Sequence, residues 1–166
     1  MSITFKEAQE KPELRQRFID SINLEEARPY IEKVTYVSAL NGYPAAMACV
    51  SPLPALFNIS NCRSSISVFP SSFSSKNILN LGDFVSTLVD HEGYHAKDIY
   101  ESPSLTINLL LGRFSKKCQQ RFIAGEQRAI YNQISNFERR GCSKKYIAYV
   151  MQKQQINKDL LEILSC

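Results

Sequence analysis

The chain has 166 residues, enough for one well-buried core and few for two. Apolar residues make up 44% and charged residues 22%, the usage of a globular chain, which excludes a disordered or low-complexity design. The net charge of +4 is modest, and its basic pairs (Lys116-Lys117, Arg139-Arg140, Lys144-Lys145) are spread through predicted helices and joins, as on a solvated surface.

No helix-turn-helix pattern and no basic, aromatic-rich strand occurs, so no nucleic-acid partner is expected. No run of about 18 apolar residues exists, so no membrane span is expected. The start, Met1-Ser2-Ile3-Thr4-Phe5-Lys6-Glu7, lacks a basic segment followed by an apolar one, and the expected location is cytoplasmic. Five dispersed cysteines without a CxxC pair point to free thiols over disulfides or a cysteine zinc knuckle.

The N-terminal segment reads as helical. Pro12 suits a first turn, Leu14, Phe18 and Ile22 recur at helical spacing, and a short second helix covers Leu24 to Ile31. From Lys33 to Phe73 the pattern becomes β-like. Val34 to Val37 is β-branched and aromatic, Asn41-Gly42 signals a tight turn, and Ala45 to Val50 reads as the returning strand of a hairpin. Ser65 to Phe69 alternates polar and apolar residues before Pro70, the pattern of a half-buried strand at a sheet edge. Ser71 to Ser75 reads as a loop.

Asn80 is a candidate cap for a helix running to about Tyr100, with Asp83 as its third residue. Further helices cover Leu105 to Arg140, with a break near Gly112, and Ser143 to Leu164, separated by Gly141. The expected fold is therefore α+β: a small three-stranded sheet packed on a helical bundle. A single domain over 1–166 divides into a helical N-terminal segment (1–32), the sheet (33–73) and a helical part that would bind metal (80–166).

The chemistry concentrates in His91-Glu92-Gly93-Tyr94-His95. Histidines four apart on a helix lie on one face, one turn apart, close enough to share one ion. Glu92, about 100° around the helix, sits beside that ion, where it can take a proton from a bound water. The chain's two histidines both fall here. Phe84, Leu88, His91, His95 and Asp98 form one stripe, so the imidazoles continue a core-facing seam.

A catalytic zinc needs a third protein ligand. Glu101 follows His95 by six residues, the metzincin position, but Asp98 stands where that class has a chain-turning glycine. Glu126, 31 residues after His95, shares a helix face with Phe122, Ala129 and Gln133, between small neighbours Gly125 and Ala129. A carboxylate on an inward stripe is costly unless a metal or a basic partner such as Arg128 compensates it.

A helix-borne HExxH followed by a downstream helix with Glu126-x-x-Ala129 resembles the gluzincins, and the size and small sheet are most similar to their minimal members, the minigluzincins. The resemblance covers about Ile66 to Gln133. It implies Zn2+ held by His91, His95 and Glu126, Glu92 as general base and acid, and an edge strand, Ser65 to Pro70, that aligns an extended peptide. Many gluzincins carry an aspartate four residues after the glutamate ligand, bonded to the first histidine. Ile130 stands there, leaving Asp98, Asp90 or a backbone carbonyl to orient the imidazole. Tyr131, Tyr146 and Tyr149 are candidate donors to the developing oxyanion.

The expected function is a zinc-dependent endopeptidase acting on a peptide or protein substrate. The alternatives are a metallopeptidase-like zinc protein that binds a partner without cutting it, and a helical interaction protein with no metal. Neither the oligomeric state nor a covering role for the segment before Lys33 is legible.

Overall fold

The computed structural model describes residues 3–38, 48–51, 62–101 and 116–165. The N-terminal segment folds as two short helices, α1 (Phe5–Glu10) and α2 (Arg15–Asp20), joined by a 3-10 turn at Pro12–Leu14. Thr4 and Glu7 cap α1 reciprocally: Thr4 Oγ1 accepts from the Glu7 N–H, and the Glu7 carboxylate accepts from the Thr4 N–H at 2.8 Å. A second 3-10 stretch, Glu25–Tyr30, leads into strand β1 (Ile31–Tyr36).

β1 pairs in parallel with β3 (Ser64–Val68), from Ile31 opposite Ser64 to Tyr36 opposite Val68. A three-residue strand, β2 (Ala48–Val50), runs antiparallel along the other side of β3. Two expectations are corrected here. Val34 to Val37 and Ala45 to Val50 do not form a hairpin, because β3 lies between β1 and β2. The turn at Asn41-Gly42 lies outside the described residues. Nor is β3 an edge strand: it has a neighbour on each side and buries Ser64, Ile66 and Val68. Pro70 follows the strand and interrupts no pairing. Ser71–Ser74 is a turn of helix and not a loop, because Phe73 is drawn into the core.

That core is aromatic where the N-terminal segment meets the rest of the chain. Phe5, Phe18, Phe73 and Phe84 pack together in tilted, edge-on and stacked pairs with ring centroids 5.2–6.2 Å apart, tying α1 and α2 to the HExxH-bearing helix. Each buried ring contributes about 1.5–3 kcal/mol.

The motif helix begins as expected. Asn80 Oδ1 accepts from the Asp83 N–H at 2.9 Å. The buried Asp83 carboxylate accepts from the N–H of Leu79 and from both the N–H and hydroxyl of Ser143, all within 2.8 Å, so the cap also anchors the start of the C-terminal helix. The helix runs α-helically over Leu81–Val85, widens into π-helix over Ser86–Glu92, and returns to α-helix over Gly93–Glu101. The Gly93 N–H bonds Leu88 O, five residues back. Three side-chain donors take carbonyls in and just before the wide segment: Thr87 Oγ1 to Asp83 O, Gln133 Nε2 to Ser86 O and Asn132 Nδ2 to Asp90 O. Gly93 is also where Ala27 crosses, so close that an added Cβ would sit 2.6 Å from the Ala27 Cβ.

The glutamate helix, Lys116–Arg140, packs against both the π segment and the C-terminal helix, Lys144–Ser165. Gly141, at φ +64°, ends it in the left-handed conformation that glycine tolerates best. Residues 102–115, including the predicted break near Gly112, lie outside the described residues. The described residues thus form an α+β arrangement, mostly helical, around the parallel β1–β3 pair. No described helix is long and apolar enough to cross a membrane. Cys62 and Cys142 are free thiols.

Candidate metal centre

The transition from π to α-helix places His91 and His95 on one side of the motif helix, rings 4.8 Å apart at 88°. Glu126 reaches them from the middle of the glutamate helix: Oε2 lies 3.5 Å from His91 Nε2 and Oε1 3.0 Å from His95 Nε2. One donor atom from each of the three residues lies within 4.8 Å of the others. Exposures of 14%, 21% and 28% for the His91, His95 and Glu126 side chains place the group at a boundary between core and solvent.

His95 Nε2 carries the informative contact. It is buried and has no hydrogen-bond partner, although a carboxylate oxygen stands 3.0 Å away. A simple histidine–carboxylate pair would aim the ring N–H at the oxygen. Donor atoms that sit close without aiming at one another suit convergence on a shared third point, and two imidazoles with a carboxylate are a donor set for a divalent metal. The residues fit such an ion.

The electrostatics agree with the crowding. Burial pushes the Glu126 carboxyl up, but the imidazoles of His91 and His95 outweigh it and hold the group well below the usual carboxylate range. Burial pushes His95 down, while Glu126, Glu92 and Asp98 together push it up, leaving it above the ordinary imidazole value. Glu92 is buried in the last position of the π segment, its charge felt by His95.

Other acids named from the sequence have other partners. Arg128 donates to Asp98 at 2.8 Å, which leaves Glu126 to the histidines and removes the Glu126–Arg128 pairing. Arg140 grips Asp90 through two hydrogen bonds of 3.0 and 2.7 Å. Neither aspartate orients a histidine. Glu101 is exposed at the helix end beside Lys97, outside the cluster. Tyr94 lines a different cavity of ≈ 320 Å³, with Glu25, Tyr30, Lys97 and Arg140.

The tyrosines separate by environment. Tyr131 is 52% exposed and lies about 140° around the helix from Glu126. Tyr149 is half-buried, its ring 6.5 Å from that of Tyr146 and covered by the Lys153 ammonium. Tyr146 is fully buried, its hydroxyl shared with Thr87 at 2.8 Å and Gln133 at 2.7 Å, so it cannot serve a substrate.

Ile130 is packed in the core, and the partner of His91 is instead Gln133, whose Oε1 lies 3.0 Å from His91 Nδ1. Its role was not read from the sequence. Seven residues after Glu126 it shares the inward face, but an uncharged amide carries no signal of its own.

A scan against protein-family models returns no match, and neither the search of curated proteins nor that of solved structures returns one.

Proposed function

We propose that this chain is a zinc-dependent endopeptidase of the gluzincin type, acting on an extended segment of a peptide or protein. The observation that carries the reading is the convergence of His91, His95 and Glu126 around a buried imidazole nitrogen with no hydrogen-bond partner. A bound zinc ion supplies Lewis acidity and lowers the pKa of a coordinated water. His91, His95 and Glu126 hold it, and the carboxylate brings a charge that offsets part of the metal's own. Glu92, buried beside His91 in the last position of the π segment, takes a proton from the attacking water and passes it to the leaving amine. Tyr131 and Tyr149 stand as the proposed oxyanion donors.

The second reading, a zinc scaffold that binds a protein partner without cutting it, draws on the sealed environment of Tyr146 and the missing acid at Ile130. Glu92→Gln separates the two. Under the peptidase reading it abolishes hydrolysis of a diverse peptide library while zinc content stays at one per chain. Wild-type protein that is zinc-loaded and cleaves nothing selects the scaffold. Metal content after purification without a histidine tag tests the ligands: His91→Ala and Glu126→Ala lose zinc, and Glu101→Ala keeps it. Equal zinc in all four proteins would remove the site.

A further inference from the structure

We infer that Gln133 is the positioning residue of this site, holding His91 as its Nδ1–H tautomer so that Nε2 presents a lone pair to the metal. The inference deepens the zinc reading and rests on it for its metal consequence, but the tautomer is a property of the protein itself.

Groups that have no choice of role fix each proton in turn. Backbone carbonyls only accept. Thr87 Oγ1 lies 3.1 Å from Asp83 O and therefore donates there. Its hydroxyl has spent its proton, so in the 2.8 Å contact with Tyr146 the phenol donates and Thr87 accepts. The Tyr146 oxygen is then free to accept, and the group 2.7 Å away is the Gln133 amide, which must present its NH2. Ser86 O, 3.4 Å from the same nitrogen, requires that orientation independently, since a flipped amide would set oxygen against oxygen. With Nε2 committed, Oε1 is the atom facing His91 Nδ1 at 3.0 Å, so Nδ1 carries the proton.

The sequence of donors therefore runs inward from the half-buried His91 through Gln133, Tyr146 and Thr87 to a backbone carbonyl. Neutral histidine in water prefers the opposite tautomer modestly, so a fixed Nδ1–H removes a reorganisation that metal binding would otherwise require. Gln133 does for His91 what an acidic residue at position 130 would do. It does so from one turn further along the helix and without adding a second negative charge beside Glu126.

The test uses the full chain, metal-free and 15N-labelled, at about pH 8.5, where imidazole is mainly neutral. Long-range 1H–15N correlation should show a pyrrole-type Nδ1 for His91, the nitrogen that faces Gln133; Nε2 faces Glu126 Oε2 at 3.5 Å and is not the readout. Gln133→Met, close in volume, should give a mixture of tautomers and weaken zinc binding by about 10–100-fold in a chelator competition. A pyridine-type Nδ1 in the wild type overturns the inference without any variant. So does an unchanged His91 spectrum in folded Gln133→Met. Wild type with the Nδ1–H signal that takes up no zinc supports the relay and counts against the metal reading alone.

Discussion

Glu25 holds a left-handed backbone, φ +48°, that costs a non-glycine residue on the order of 1 kcal/mol. What keeps it there is its carboxylate, which accepts from Arg140 Nη1 and Arg139 Nη1, each at 2.7 Å. The Arg140 hydrogen bond, opposed by burial, is the largest influence holding the Glu25 carboxyl below its ordinary value. The pairing therefore stabilises the fold fully above about pH 4.5 and is lost as pH falls through the lowered value. Glu25→Gln should therefore cost about 1 kcal/mol at neutral pH, a surface-scale figure because the carboxylate is partly exposed. Urea titrations of both proteins from pH 7 downward should show this gap closing below about pH 4. A gap of constant size across that range would mean that the charge is irrelevant.

At the scale of elements, the local ones were legible and the non-local ones were not. Asn80, Asp83 and Gly141 mark helix ends through hydrogen bonds and dihedrals their own neighbours supply, so the caps could be read from the letters around them. Pairing partners have no such local mark: β1 joins β3 in parallel across a long connection, a choice made by burial of Ile31, Ile66 and Val68 and not by a turn signal. The π segment was illegible for a similar reason, because two of the side chains that take its carbonyls, Asn132 and Gln133, come from another helix. Gly93 shows the same dependence inside the motif itself. Ala27 of the 3-10 stretch rests on its Cα, so Gly93→Ala forces a displacement and should cost about 1–3 kcal/mol despite alanine's better helix propensity. Thermal unfolding would measure it, and a stabilised variant would show that the crossing is loose.

For the molecule as a whole, the candidate metal cluster was readable because its residue types are scarce and chemically committed. A chain with two histidines, both in one motif, leaves few arrangements to consider. Its support was unreadable because glutamine, threonine and tyrosine acquire direction only from packing, as the Gln133–Tyr146–Thr87 sequence shows. The N-terminal segment, whose covering role is not legible in the sequence, shares its buried side chains with the motif helix. Phe5, Ala8, Phe18, Ile19 and Ala27 belong to one buried cluster with Phe84, Leu88 and Val89 of the motif helix. A detachable cover would meet the rest of the chain with a surface of its own, whereas these side chains complete the layer on which the motif helix lies. Phe18→Ala should accordingly lose about 3–5 kcal/mol, and removal of the segment before Ile31 should leave a chain without cooperative unfolding. Near-ultraviolet circular dichroism and thermal melts of the truncated protein provide the check. A truncated chain that melts cooperatively and cleaves peptides faster than the full one would mean that the segment is a removable inhibitor after all.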